Sequence, residues 1–160
     1  MAWRATHRHT AAALRCFGGA RGGMAAVEFA IGASFLIMLV TGLYDFGRAS
    51  WHRMEVAAAA QAGAVYAAGN GFNSNGIVAS VLGATTYSTV TATPAPTMQC
   101  GCPAGGSGVT AAACGSACAV GGIAGYYVRV NARGTYNFVF PYPGVPQPVV
   151  MTASTYVKLQ

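Results

Sequence analysis

An apolar segment near the N-terminus constrains this 160-residue chain more than any other feature. Residues 25–44 are twenty residues with a single charged side chain, Glu28. About 20 helical residues, each rising 1.5 Å, cross a hydrocarbon core of about 30 Å. The segment therefore predicts a membrane-spanning helix. Glu28 should lie near one interface or have a partner, because a charge at the centre of a span costs at least about 2.5 kcal/mol.

Positive charge is concentrated before this segment. The formal net charge is +6, and the first 23 residues hold four arginines and no acidic residue. These are Arg4, Arg8, Arg15 and Arg21. Arginines ahead of a span place the N-terminus in the cytoplasm and the rest of the chain outside. Since the basic character belongs mainly to this tail, we expect no nucleic-acid partner.

Two targeting signals are alternatives to a permanent span. A cleaved secretory signal has an apolar region of about 7–15 residues, shorter than this one. The sequence also lacks a good small-x-small cleavage site after the segment, since "RAS" at 48–50 is a poor match. A mitochondrial presequence fits the arginine-rich, acid-free tail. A membrane anchor agrees better with the length of the apolar segment.

The helical pattern continues beyond the predicted span. Residues 45–68 are rich in alanine, the best helix former, and the run stops at Gly69-Asn70-Gly71. One helix over residues 24–69 would be about 68 Å long, more than a membrane requires. Tyr44 and Trp51 share a face, as in an interfacial aromatic belt. The outer half of this helix therefore needs a covering domain.

Charged residues on the outer half are spaced three apart, Asp45 with Arg48 and His52 with Glu55. Side chains at this spacing can meet on a helix surface. We interpret Asp45, Arg48 and Glu55 as a solvated face of the helix.

The residues around Glu28 resemble a known processing signal. "GGMAAVEFA" (22–30) is similar to the class III signal of type IV pilin-like proteins. In those proteins a prepilin peptidase cuts after a glycine, and a carboxylate lies at the fifth mature position. The resemblance implies a leader at residues 1–23 and cleavage between Gly23 and Met24.

Further motifs resemble the TadE/TadG-like family of the tight-adherence (Flp) pilus system. They are "VEFA" at 27–30, "DFGR" at 45–48 and "AQAGAVYA" at 60–67, with a looser likeness in the final 24 residues. Phe29 stands where the major Flp pilin usually has tyrosine, which favours the minor, TadE-like class. The resemblance implies a pilin-like subunit.

Cleavage would create an ammonium group at Met24, one helical turn before Glu28. In a helical bundle, Glu28 could then pair with the amine of a neighbouring subunit and fix the axial register. Ala26, Ala30 and Ser34 form a small-residue stripe suited to close helix approach. The simpler interpretation is a glutamate that reaches the cytoplasmic boundary of an ordinary anchor.

Residues 70–160 are predicted to form a small α+β domain outside the cytoplasm. "SNGIVASVLGATT" suggests a short helix capped by Ser74 or Asn75. Residues 86–93 alternate and are β-branched, which favours a strand. The Pro- and Gly-rich residues 94–122 favour a loop.

The last third of the chain should supply the remaining strands. "GYYVRVNA" alternates, and Arg133-Gly134 is expected to turn it into "TYNFVF". "PYPGVPQP" interrupts the pattern, and residues 149–159 form the last strand. The predicted fold is α+β, a long N-terminal helix packed on an antiparallel sheet of three or four strands, pilin-like in form.

Four cysteines lie in the predicted loop: Cys100, Cys102, Cys114 and Cys118. In an oxidising compartment they imply two disulfides with three possible connectivities. Adjacent C-x-C bridges are strained, which favours pairing between the two clusters. Zinc is the alternative, although the C-x-C…C-x-x-x-C spacing lies outside the usual patterns. Cys16 is expected to be a free thiol in the tail.

Catalytic chemistry is not expected. Residues 70–160 contain no Asp, Glu or His, so an acid–base pair or a Ser-His-Asp triad cannot be assembled there. No phosphate loop, metal site or cofactor site is predicted.

Taken with the resemblance, the sequence predicts a non-catalytic TadE-like minor pilin or pseudopilin that acts in tight-adherence pilus assembly. Its partners would be prepilin peptidase, other pilin-like subunits, the inner-membrane assembly platform and membrane lipid. The protein would span the bacterial inner membrane once, with a periplasmic C-terminal domain, or enter an extracellular pilus. The alternative is a permanent single-span protein with an outward binding or surface-interaction domain.

Overall fold

The computed structural model describes residues 22–105 and 108–159. Contacts divide the chain into two compact units, one ending at Leu43 and the other comprising Tyr44–Gln160. The elements are α1 (Gly22–Asn70), α2 (Ser74–Gly83), β1 (Thr97–Pro103), β2 (Val109–Ala111), β3 (Gly125–Tyr136) and β4 (Val149–Lys158). Residues 1–21 of the predicted leader, with Cys16, lie outside the described residues.

The predicted long helix is confirmed, and α1 contains 49 residues. Its alanine-rich second half, free of proline, suits a helix. The helix stops where Gly71 adopts a φ of 75° and its amide donates to the carbonyl of Ala67 at 2.9 Å. Glycine adopts this left-handed conformation without steric cost, so the predicted stop signal works as a helix C-cap.

The sheet is four-stranded and antiparallel, in the order β2-β1-β3-β4. Strand β3 is central and pairs with β4 along its length, from Tyr127 opposite Lys158 to Tyr136 opposite Val149. The predicted α+β architecture, a long helix packed on a small antiparallel sheet, is confirmed. A sheet of this size needs such packing, because isolated hairpins are marginally stable in water.

Small residues let the second half of α1 lie close to β3. The buried apolar side chains of this stretch are those of Ala49, Val56, Ala59, Ala60, Ala64 and Ala67. All of them except Ala49 contribute to one core with Val128 and Val130 of β3 and with α2. Gly134 of β3 lies tightly against the helix, because a Cβ there would lie 2.7 Å from His52 and from Val56.

Two predicted assignments in residues 86–122 are wrong. Residues 86–93 are not a strand and contribute only an isolated bridge between Thr91 and Arg133. Pro94 and Pro96 follow, and proline cannot donate to a strand ladder. Residues 94–122, predicted as a loop, contain both β1 and β2. The Pro- and Gly-rich composition of these residues does not predict β1. The strand is stabilised by pairing with β3, which is distant in the sequence.

The predicted turn at Arg133-Gly134 is also wrong, because β3 runs straight through these residues to Tyr136. Glycine is needed there for the close approach of α1 and not for a turn. The short helix α2 is confirmed, but its cap is Asn73, whose side chain accepts from the amide of Gly76. The final predicted strand corresponds to β4.

Candidate functional site

The residues of the predicted processing and assembly site lie on the first two turns of α1. Gly23, Met24 and Glu28 are all exposed. A side chain added at Gly23 would meet no atom within 4 Å. The structure leaves Glu28 and the Gly23–Met24 bond open to a partner molecule.

The apolar part of α1 is the one candidate membrane span found in the described residues, and its most apolar window is unburied. Large exposed side chains along it include Phe29, Phe35 and Leu39. Its hydroxyl groups are satisfied within the helix: Ser34 donates to the Ala30 carbonyl at 2.8 Å and Thr41 donates to a carbonyl one turn earlier at 2.6 Å. A helix in lipid requires such internal satisfaction, because no water is available to bond polar groups.

Asp45 is fully buried, so its interpretation as part of a solvated face is wrong. One carboxylate oxygen accepts from the amide of Val139 at 3.3 Å. The other accepts from the amide of Phe140 at 3.3 Å and from the Tyr142 hydroxyl at 3.2 Å. The expected partner, Arg48, donates instead to the Tyr44 hydroxyl. Asp45 thus ties α1 to the chain between β3 and β4.

Aromatic rings surround this carboxylate. The Phe46 ring lies 5.5 Å from both Phe138 and Tyr142, and these two rings are 5.4 Å apart. We refer to Asp45, Phe46, Phe138 and Tyr142 as the Asp45 cluster. Burial, followed by the charge of Asp45, raises the pKa of Tyr142. The hydroxyl therefore remains protonated at neutral pH and can donate its hydrogen bond.

His52 is also buried and lies two helical turns beyond Asp45 on the same face of α1. Its Nε2 lies 3.3 Å from the Thr89 hydroxyl, and the Tyr87 ring packs edge-on at 4.8 Å. Burial lowers the pKa of His52, which favours a neutral ring at pH 7. The side chain acts as a core aromatic and not as half of a surface pair with Glu55.

The four loop cysteines come together as two crosswise pairs at disulfide distance. Cys100 lies beside Cys114 with a Cα–Cα distance of 5.2 Å, and Cys102 lies beside Cys118 at 5.6 Å. Both distances fall in the usual range for disulfides. The pairs connect β1 to the segment between β2 and β3. Among the described residues, no group of three or more His, Cys, Asp or Glu side chains is arranged to hold a metal ion.

A family model described as TadE-like protein matches residues 23–65. This segment of the chain is TadE-like. The predicted resemblance to the TadE-like family is confirmed over these residues. No curated protein and no solved structure matches the chain.

The TadE-like segment begins at Gly23 and includes Glu28 and Asp45. It ends before the residues that Asp45 binds, so the looser likeness of the final 24 residues to the same family stays a prediction. Glu28 belongs to the unit that ends at Leu43, whereas the loop cysteines belong to the unit Tyr44–Gln160.

The sequence did not predict that Asp45 binds residues 139–142. The prediction considered only its pairing with Arg48, three residues away on the helix surface. The available signal was the phase of the helix. Asp45 precedes Ala49, His52 and Val56 at steps of four, three and four residues, and all four are buried. This is the spacing of a helix face that packs on another element.

Removal of the Asp45 carboxylate should destabilise the outer unit and release the backbone it binds. Bonds to a charged acceptor contribute about 1.5–3 kcal/mol, so Asp45→Ala should lower the unfolding free energy by about that amount. The amides of Val139 and Phe140 should also lose protection from hydrogen exchange. Chemical unfolding and hydrogen exchange in detergent measure the two effects.

Glu55→Ala is the matched control, since it removes a carboxylate from the same helix without a buried bond network. It should change stability by less than about 0.5 kcal/mol, as is usual for surface substitutions. Full protection of both amides in Asp45→Ala would contradict the role assigned to Asp45.

Single cysteine substitutions should reveal the crosswise pairing. Under non-reducing conditions the four loop cysteines of the native protein should resist alkylation. Cys100→Ser should expose only Cys114, and Cys102→Ser should expose only Cys118, as located by tandem mass spectrometry. Each bridge closes a loop of about 15 residues, so its loss should cost about 3 kcal/mol in the chain-entropy model.

Labelling of Cys118 in the Cys100→Ser protein would contradict this connectivity. Four reactive thiols in the native protein, or stoichiometric metal release on alkylation, would favour zinc instead.

Proposed function

We propose that this protein is a non-catalytic, TadE-like minor pilin or pseudopilin that acts in assembly of a tight-adherence pilus. The observation that carries the proposal is the start of the TadE-like match at Gly23. Glu28 is then the fifth residue after the predicted cleavage bond, the position at which pilin-like proteins hold their carboxylate. The unburied apolar helix behind it supports a subunit that lies in the inner membrane.

Processing would change the chemistry of this end of α1. Removal of residues 1–23 takes away the basic leader and leaves an ammonium group at Met24. Glu28 would lie one helical turn from this new N-terminus, near the positive end of the helix dipole, which favours a carboxylate. Exposed Glu28 is also free to reach the amine of a neighbouring subunit. Ala26, Ala30 and Ser34 would allow the two helices to approach closely.

The outer unit would face the periplasm, because the arginines of the leader favour a cytoplasmic N-terminus. An oxidising compartment also suits the two cysteine pairs. Partners of the subunit would be prepilin peptidase, other pilin-like subunits and the assembly platform of the inner membrane. The alternative function is that of a permanent single-span membrane protein with an outward binding domain. Cleavage of the leader is expected for the pilin-like subunit and not for this alternative.

Prepilin peptidase should remove residues 1–23. In cells with the active peptidase, the intact mass of the extracted protein should correspond to a chain that begins at Met24. Gly23→Leu should block cleavage, since the enzyme must approach the backbone closely at a residue without a side chain, whereas Gly23→Ala should be cut slowly.

Gly19→Leu is the matched control, because it adds the same side chain to the leader and leaves the junction intact. It should be processed normally. A wild-type N-terminus at Met1 beside an active peptidase would exclude the pilin-like function and favour the permanent anchor.

Glu28 should be needed for assembly and not for insertion or processing. In Glu28→Ala and in Glu28→Gln, the charge that pairs with the neighbour's amine is lost. Both variants should therefore be cleaved and present in the membrane but absent from complexes with other pilin-like subunits. Co-purification and pilus counts by electron microscopy measure this.

Glu55→Gln, a neutral variant further along α1, should assemble as the wild type does. Normal assembly of both Glu28 variants would reject pairing. A glutamate that only reaches the membrane boundary would be replaceable, because another polar residue at the interface costs little.

A further inference from the structure

An uncharged segment follows β3 and exposes apolar side chains. Residues 137–148, "NFVFPYPGVPQP", contain no ionisable group except the Tyr142 phenol. Val139 is 61% exposed and Phe140 is 50% exposed. Two adjacent large apolar side chains are thus exposed on a segment with four prolines, and contiguous exposed apolar surface is typical of contact sites.

This exposure belongs to a fixed conformation. The amides of Val139 and Phe140 are the two that donate to the Asp45 carboxylate, so the backbone of both residues is held in place. The Phe140 carbonyl accepts a further bond from Gln147 at 3.2 Å. On either side, Phe138 and Tyr142 pack on the Phe46 ring.

The position of Asp45, directly after the apolar segment 25–44, points to a membrane as the partner of this surface. It is the first residue after the apolar segment 25–44, so Val139 and Phe140 are one hydrogen bond away from the residue that ends the span. Its neighbours Tyr44 and Phe46 are exposed aromatics. Aromatic side chains concentrate at the membrane–water interface, where a ring can lie in the headgroup region.

We propose that Val139 and Phe140 form a second membrane contact, inserted among lipid headgroups and upper acyl chains beside the end of the predicted span. The inference rests on the membrane anchoring in the proposed function. Asp45 acts as the positioning residue, because it accepts hydrogen bonds from the amides of Val139 and Phe140 and thereby holds both residues near the end of the predicted span. A lipid surface is favoured over another protein because Asp45, which binds the backbone of both residues, directly follows the apolar segment in the chain.

A tryptophan placed in the segment tests the proposal. In a chain whose native tryptophans are removed by Trp3→Phe and Trp51→Phe, Phe140→Trp introduces one reporter. The full-length protein is reconstituted in vesicles of phosphatidylcholine and phosphatidylglycerol that carry bromine near the top of the acyl chains. Bromine quenches tryptophan only at close range, so quenching reports contact with this layer.

Ile123→Trp is the matched control in the same background. Ile123 is also an exposed apolar residue, 71% accessible, but it precedes β3 whereas Phe140 follows it. The 12 residues of β3 separate the two ends by about 36 Å. We expect bromolipid to quench the tryptophan at 140 severalfold more strongly than the tryptophan at 123.

Equal quenching at the two positions would overturn the inference. Protection of the tryptophan at 140 from aqueous acrylamide only when other pilin-like subunits are co-reconstituted would also overturn it, in favour of a protein contact. Alkaline carbonate extraction separates this failure from failure of the proposed function. A chain that resists extraction but shows equal quenching lacks only the second contact, whereas an extracted chain lacks the anchor as well.

Discussion

Close packing between the second half of α1 and strand β3 is the contact on which the outer unit depends. The buried face of α1 consists mainly of alanine, where most cores use leucine or phenylalanine. The stability of the outer unit therefore depends on short distances between the helix and the strand. Gly134 shows how short they are, since even a methyl group there would meet two helix side chains. Glycine and alanine, which weaken a core by supplying little apolar area, here permit the approach that excludes water.

Asp45 lies at the end of this packed face. A buried carboxylate is costly unless hydrogen bonds satisfy it, and here two backbone amides and a phenol do so. The same bonds fix the residues after β3 against the helix. The "DFGR" motif in the TadE-like segment therefore has a structural role. Its acidic residue, Asp45, binds a distant part of the chain directly after the predicted span.

The two units of the chain meet different physical requirements. Up to Leu43 the exposed surface of α1 is apolar, and its hydroxyls bond within the helix, as lipid or helical partners demand. From Tyr44 onward one face is buried by the chain's own sheet, and the β1 region is held by paired cysteines. This division suits the proposed pilin-like subunit, in which the first unit would contact membrane or neighbouring helices while the second folds by itself.

Features that depend on local composition and pattern could be predicted from the sequence. The long helix follows from apolar residues, alanine and a glycine stop, and β4 follows from alternation, because short-range preference and burial agree in these segments. The TadE-like resemblance could also be recognised from the sequence, because its motifs are short stretches of consecutive residues. The remaining features depend on contacts between residues that are distant in the chain. Strand β1 exists because β3 offers it a hydrogen-bonding edge, Gly134 serves a helix approach and not a turn, and Asp45 is buried because amides about 95 residues away reach it. Such contacts join residues far apart in the chain, and local preference carries no information about which distant group will supply the missing bond.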